Sequence, residues 1–172
     1  MTDPEFSRII DIRHIEAKPQ TFTATPEECA ALAKRFGLVK VQSLSATLTL
    51  ARESAAVVAN GRLSAAIVQS CAVSAEDLPV IIDEPLALRF VPEATLAFSP
   101  DEEVELSGEV LDEIPYSGER FDLGEELAQS LALAIDPFAV GPDAEKVRAA
   151  GLFGDKPSGP FAALAALKKQ DD

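Results

Sequence analysis

The sequence predicts an α+β fold, with a small antiparallel β-sheet or partial barrel, two packed helices, an acidic loop and a flexible C-terminal tail. Strand-like segments follow one another instead of alternating with helices, and two segments carry helix-start signals. The chain has 172 residues, of which 47% are hydrophobic, which is enough for one core. We expect a single domain over residues 1–140 and a tail over residues 141–172 with a short helical motif near its end.

The first half of the chain is expected to begin with a strand and a helix. Isoleucines among charged residues predict a strand within Phe6–Ile15. Thr25 is followed by a proline and then by Glu28, a pattern that predicts a helix with a capping box, and Gly37 predicts its end. From Lys40 onward polar and apolar residues alternate, which predicts a half-buried antiparallel strand.

A hairpin and a further strand are expected next. The Asn60-Gly61 dipeptide is a tight-turn signal with apolar residues on both sides, and it predicts the turn of a β-hairpin. The segment Val80–Val91 predicts another strand. Pro85 in its middle indicates an edge position or a bulge, because proline has no N–H to donate to a neighbouring strand.

The second half is expected to contain a loop and a helix. Residues 93–118 are acidic and rich in turn-forming residues, which predicts that most of them form a mobile loop. Asp122 predicts an N-cap and Glu125 a second capping box, so a helix should begin here and end before Asp136-Pro137. Its predicted buried face consists of leucines at helical spacing: Leu123, Leu127 and Leu131.

The charge balance favours basic partners over nucleic acid. The chain carries 15 lysine and arginine residues against 29 aspartate and glutamate residues, for a net charge of −14 at pH 7. Such a field repels phosphate backbones and speeds encounters with basic proteins, among which ribosomal proteins are abundant. The alternative is that the acidity only keeps a small protein soluble. We expect no DNA partner.

The sequence also predicts a cytoplasmic location. The N-terminal segment has no apolar stretch of the kind found in signal peptides. No segment approaches the roughly 18 uninterrupted apolar residues that cross a bilayer, so no membrane association is expected. The two cysteines, Cys29 and Cys71, are far apart in the chain and indicate a reducing compartment.

No recognisable catalytic or metal-binding motif is present, and we expect a protein that is not an enzyme and uses no cofactor. His14 is the only histidine, and no serine or cysteine motif is present to act with it. Cys29 and Cys71 form no CxxC pair and are interpreted as small core residues. The chain also lacks a glycine-rich motif for nucleotide binding.

A run of carboxylates in the predicted loop is the candidate partner-binding site. We interpret it as a solvated loop instead of a catalytic or metal site, because catalytic carboxylates need a cleft that separates their pKa values. The candidate binding residues are Asp101, Glu102, Glu103, Glu105, Glu109, Asp112 and Glu113.

Three motifs, taken in order, resemble a known family. They are G-x-L-x-A-x-x-x-Q-x-C at Gly61–Cys71, IDEP-x-x-x-x-F at Ile82–Phe90, and DL-x-E-x-x-x-x-x-L-x-L-x-x-DP at Asp122–Pro137. Together with the opening EFSRIIDIRHI and the closing GPFAALAALKK, they are similar to the alphaproteobacterial form of the YceD family, the large ribosomal RNA subunit accumulation proteins. The resemblance spans nearly the whole chain. The motif residues are Gly61, Leu63, Gln69, Cys71, Asp83, Glu84, Pro85, Phe90, Asp122, Leu123, Glu125, Leu131, Asp136 and Pro137.

The resemblance implies a non-enzymatic factor in ribosome biogenesis. Such a factor supports accumulation of the large-subunit 23S ribosomal RNA, through its synthesis, processing or stability. The expected partner is a basic large-subunit ribosomal protein, whose positive charge this chain would shield until assembly. Direct binding to ribosomal RNA is the alternative, which the net charge disfavours. An RNA-processing enzyme is the third interpretation, and the missing acid–base groups argue against it.

Two departures from the family pattern bear on function. Many relatives carry C-x-x-C, whereas Cys71 is followed here by Ala72, Val73 and Ser74, so a metal or redox role is weakened. Many relatives also continue with a basic stretch after the final DP. Residues 138–143 contain no lysine or arginine, which weakens the case for direct phosphate contact from this stretch.

Overall fold

The computed structural model describes residues 4–93 and 113–149, in which seven strands and three helices form. A single 3-10 turn, Ile12–His14, follows the first strand. In chain order the elements are β1 (Ile9–Asp11), β2 (Pro19–Thr23), α1 (Pro26–Phe36), β3 (Lys40–Glu53), β4 (Ala56–Ser70), β5 (Asp77–Pro92), β6 (Glu113–Tyr116), β7 (Arg120–Asp122), α2 (Leu123–Ala134) and α3 (Ala144–Ala149).

Five of the strands form an open sheet in the order β2-β3-β4-β5-β6, and β1 pairs with β7 in a separate two-stranded sheet. Strand β3 pairs antiparallel with both β2 and β4, whereas β6 lies parallel to the last residues of β5. Strands β3 to β7 thus follow one another before α2, as the sequence pattern indicates. The predicted α+β class with an open sheet is confirmed.

The described residues divide into two compact units. The sheet unit comprises residues up to Gln69 together with Pro79–Asp136, and the small unit comprises Ser70–Leu78 and the residues from Pro137 onward. This division differs from the single domain predicted over residues 1–140, because the connection between β4 and β5 groups with the chain that follows α2. Helix α3 falls within the predicted tail, and the helical motif expected near Phe161 lies outside the described residues.

The core of the sheet unit lies between one face of the sheet and its helices. Alternate residues of β3 are buried, which confirms the predicted two-residue period, and α1 packs against this strand. The largest fully buried side chains of this core are Phe6, Leu32, Leu44, Leu48, Leu50, Val57, Leu63, Ile67, Phe90, Leu123, Leu127 and Leu131. None of the helices in residues 4–93 and 113–149 is long and apolar enough to cross a membrane.

The predicted start and end of α1 are confirmed. The Thr25 hydroxyl accepts a hydrogen bond from the Glu28 N–H at 3.3 Å, and a Glu28 carboxylate oxygen accepts the Thr25 N–H at 2.7 Å. These two bonds satisfy backbone donors that the first helical turn leaves free. Gly37 ends the helix in the left-handed region, with φ of 65°, where a residue without a Cβ pays no steric penalty.

At α2 the predicted cap is confirmed, but the predicted capping box is wrong. Asp122 accepts hydrogen bonds from the N–H groups of Gly124 and Glu125. Its own backbone belongs to β7, where it pairs with Ile9. The Glu125 side chain instead forms an ion pair with Arg35, at 2.6 Å. The Glu125 carboxylate therefore binds the Arg35 guanidinium and not the backbone N–H of Asp122, which a capping box would use.

The predicted turn at Asn60-Gly61 is wrong, because β4 runs unbroken through both residues. Gly61 lies opposite Leu48 in β3, and the chain turns at Ser54, which has φ of 58°. Pairing with β3 along the whole strand outweighs the local turn preference. Glycine is required at position 61 for close approach, since a Cβ there would lie 2.0 Å from the Thr47 carbonyl oxygen.

Several strand boundaries also differ from the prediction. Strand β2 lies in a segment expected to be irregular, and β6 lies in the C-terminal part of the predicted acidic loop. Both strands form through pairing with residues distant in sequence, which no local pattern reports. At Pro85, for which the sequence predicts an edge position or a bulge, no strand among the described residues borders β5 on the side of β6, which pairs with Arg89–Pro92.

We predict that Gly61→Ala lowers the free energy of unfolding by about 3 kcal/mol, because the added methyl group would overlap backbone atoms of β3. Denaturant unfolding of the variant measures the effect. Asn60→Ala, at the exposed neighbouring position, is the control and should change stability by less than about 0.5 kcal/mol. Comparable small losses for both variants would contradict the close approach of the two strands.

A second prediction compares two leucines of α2. Leu131 is fully buried, whereas the Leu133 side chain is 87% exposed. Leu131→Ala should cost about 3 kcal/mol through lost burial and a residual cavity, and Leu133→Ala should cost less than about 0.5 kcal/mol. Thermal and denaturant unfolding of the two variants decide this, and equal losses would mean that α2 is not packed on the core as described.

Candidate binding cavity

Most motif residues shape the fold. Gly61 permits the close approach of two strands, and Asp122 caps α2. Gln69 is buried, and its side-chain amide donates a 2.8 Å hydrogen bond to the backbone carbonyl oxygen of Asp136, just after α2. Four more motif residues are fully buried in the core: Leu63, Phe90, Leu123 and Leu131. Their pattern in the sequence is therefore explained by folding.

The remaining charged motif residues lie at the surface. Asp83 pairs with Arg62 at 2.9 Å, and hydrogen bonds from this guanidinium lower the pKa of the carboxyl. Glu84 and Pro85 line a shallow groove of about 440 Å³ beside the last turns of α2. Pro137 lies three residues after the end of α2 and begins the second segment of the small unit. These positions bring no catalytic group together.

Of the predicted acidic binding residues, the structure describes Glu113. It lies in β6 and not in a loop, with a carboxylate oxygen 3.4 Å from Nε of Arg89. The same arginine also contacts Glu53 at 3.0 Å. Glu113 is therefore a paired strand residue, which corrects the prediction that it lies in a loop. The other six predicted residues lie outside the described residues: Asp101, Glu102, Glu103, Glu105, Glu109 and Asp112.

The two cysteines are free and buried, as predicted, but their surroundings differ. In the small unit, Sγ of Cys71 accepts hydrogen bonds from the N–H groups of Val73, Ser74 and Gly141, at 3.3–3.4 Å. These donors stabilise the thiolate and lower the pKa of Cys71 to about 6. Burial raises the pKa of Cys29. No local pattern indicates this difference between the two thiols, because Gly141 is distant from Cys71 in the chain.

Other candidate chemistry is sparse in residues 4–93 and 113–149. The His14 side chain is 79% exposed, and its Nδ1 lies 3.6 Å from Asp11. No group of three or more histidine, cysteine, aspartate or glutamate side chains in these ranges has the arrangement of a metal site.

A cavity of about 330 Å³ lies in the sheet unit between β6, β7 and the first turns of α2. Its apolar lining includes Phe90, Tyr116 and Phe121. The rings of Phe90 and Phe121 stack at 3.9 Å between centroids, and the Tyr116 ring is tilted 48° to that of Phe121. The Tyr116 hydroxyl donates to the Ala55 carbonyl oxygen at 2.8 Å, which fixes this ring. The charged lining residues are Arg120, Asp122, Glu125 and Glu126.

Two of these carboxylates already have partners. Asp122 accepts hydrogen bonds from backbone N–H groups of α2 and from the Arg8 N–H, at 2.7 Å. Glu125 is bound by both terminal nitrogens of Arg35, at 2.6 and 2.8 Å, and these bonds lower its pKa. Neither carboxylate needs a further cation.

Glu126 differs from its neighbours. Its side chain is half-buried, and its carboxylate has neither a hydrogen bond nor an ion pair within the described part of the chain. Burial raises the pKa of this carboxyl, and the charges of Glu125 and Asp122 raise it further. The sequence analysis did not identify Glu126, because the cavity is formed by segments that lie far apart in the chain.

Comparison with protein-family models, with curated proteins and with solved structures gives no match to this chain.

We predict that the two thiols titrate in different pH ranges. In Cys29→Ser, which retains Cys71, thiolate should appear near pH 6, and in Cys71→Ser, which retains Cys29, it should appear only above the ordinary range of a cysteine thiol. Ultraviolet thiolate absorbance against pH measures both. Because the folded-state pKa of Cys71 is lowered, stability should rise with pH between about 6 and the pKa of the unfolded thiol. Coincident titrations of the two variants would contradict the assigned hydrogen bonds.

Proposed function

We propose that this chain is a non-enzymatic, cytoplasmic member of the YceD family that acts in ribosome biogenesis. In this proposal it supports accumulation of 23S ribosomal RNA by binding a basic large-subunit ribosomal protein. The three sequence motifs support the family, and the distribution of charge supports the kind of partner.

The arginines of the sheet unit carry this argument. Direct contact with RNA phosphates needs arginine or lysine side chains that are free to bind them. Arg52, Lys34 and Lys40 are exposed and have no ion pair among the described residues. The other six arginines of this unit each lie within 3.5 Å of a carboxylate oxygen: Arg8, Arg13, Arg35, Arg62, Arg89 and Arg120. Their charge is compensated within the fold, while the whole chain keeps a net charge of −14. This distribution favours a basic protein over ribosomal RNA.

The acidic segment would act mainly on the rate of association. Residues 94–112 contain six aspartate and glutamate residues and no lysine or arginine. A concentrated charge of this kind attracts a basic protein over distances comparable to the Debye length, about 8 Å at physiological ionic strength. It would thereby raise the encounter rate and shield the partner's positive charge until assembly.

We predict that neutralising part of this segment slows association with a basic ribosomal protein. The chain should bind purified basic large-subunit proteins, with binding that weakens as salt increases and survives RNase treatment. The variant for this test combines four substitutions: Asp101→Asn, Glu102→Gln, Glu103→Gln and Glu105→Gln. In this variant the rate of association should fall and should depend less on salt, with folding almost unchanged.

A second variant controls for net charge alone. It carries the same change in charge at exposed positions outside the segment: Glu16→Gln, Glu27→Gln, Asp77→Asn and Glu84→Gln. If both variants slow association equally, the segment has no special role. Equal on-rates for wild type and both variants at two salt concentrations would reject the escort mechanism. Tight, salt-dependent binding to 23S fragments in place of ribosomal proteins would favour direct RNA binding.

A further inference from the structure

We propose that the cavity between β6, β7 and α2 binds the guanidinium group of an arginine side chain presented by a basic partner. The kind of partner rests on the proposed function, whereas the site is argued from its geometry. Glu126 would accept hydrogen bonds from the guanidinium, and Tyr116 and Phe121 would contact the flat face of the guanidinium.

The charge of the lining favours a cation. Asp122 is bound by backbone donors and Glu125 by Arg35, while Arg120 has its Nε 3.5 Å from Asp11. Of the three lining carboxylates, that of Glu126 has neither a hydrogen bond nor an ion pair among the described residues. A cation in the cavity would supply the missing partner, and an anion would meet three carboxylates.

The lining also favours arginine over lysine. A guanidinium is planar, so it can stack on aromatic rings and present two parallel N–H donors to one carboxylate. The apolar part of the lining contains the aromatic residues Phe90, Tyr116 and Phe121 together with Ile114 and Pro115, and Glu126 lines the same cavity. The volume of about 330 Å³ lies at the lower end of the range for small-ligand sites and suits a single side chain.

Glu126 also destabilises the fold of the free protein. Burial and two neighbouring carboxylates disfavour its charged form, and they raise the pKa of this carboxyl. A group whose folded-state pKa is raised in this way opposes folding at pH values above that pKa. Glutamine would keep the shape without the charge and should stabilise the free chain. A residue that destabilises the free fold, and that a bound cation would satisfy, is typical of a binding site.

The test uses the full chain and N-acetyl-arginine amide, which carries one guanidinium group. NMR titration should shift the backbone amides of Phe121 and Glu126, and Glu126→Gln should weaken binding about tenfold. Glu84→Gln removes an exposed carboxylate at the separate groove, and it should bind like wild type. N-acetyl-lysine amide should bind more weakly than the arginine derivative.

The thermal stability of the free chain gives a second readout. Glu126→Gln should melt at a higher temperature than wild type in the absence of ligand, whereas a purely structural role for Glu126 predicts a lower one. Unchanged binding in Glu126→Gln, or shifts confined to other surfaces, would overturn the site. If the arginine derivative binds here but no basic ribosomal protein does, the proposed function fails and the site stands.

Discussion

The fold of the sheet unit depends on how one residue, Arg8, joins the two helix starts. Its N–H donates to Asp122 at 2.7 Å, and its carbonyl accepts the N–H of Leu123 at 3.0 Å, so its backbone orients the beginning of α2. Its guanidinium donates to both carboxylate oxygens of Glu28, at 2.7 and 2.9 Å, and thereby holds the capping-box residue of α1. Because the first turns of α2 form one wall of the cavity, the site takes its position from a residue outside it.

Features fixed by short-range chemistry could be predicted from the sequence, and those that arise from long-range pairing could not. The caps at Thr25 and Asp122 were predicted because each involves residues two or three positions apart. The prediction of a turn at Asn60-Gly61 is wrong because extended pairing of β4 with β3 overrides the turn preference of these two residues. Strands β2 and β6 were missed for the same reason. Glu126 looks like any polar helix residue until β6 and β7 are placed beside it.

The charges of this protein divide into two kinds with different physical roles. Paired arginines and carboxylates position segments of the fold, and because they neutralise one another they contribute little to the external field. Uncompensated carboxylates, by contrast, act outward. The six carboxylates in the sequence of residues 94–112 would attract a basic partner over long distances without geometric selectivity, whereas Glu126, which lines the cavity with aromatic residues, would select a single type of side chain. Encounter rate and specificity would then be set by different parts of the chain.

The part of β5 that no described strand borders bears on how this protein behaves at high concentration. Between Pro79 and Leu88 no described strand borders β5 on the side where β6 begins further along. An unprotected edge of this length invites pairing with an identical edge and hence growth of intermolecular sheets. Pro85 interrupts the row of N–H donors, and the exposed Glu84 beside it would bring like charges together when two such edges approach. Pro85 and Glu84 of the IDEP motif would therefore disfavour edge-to-edge pairing along this part of β5.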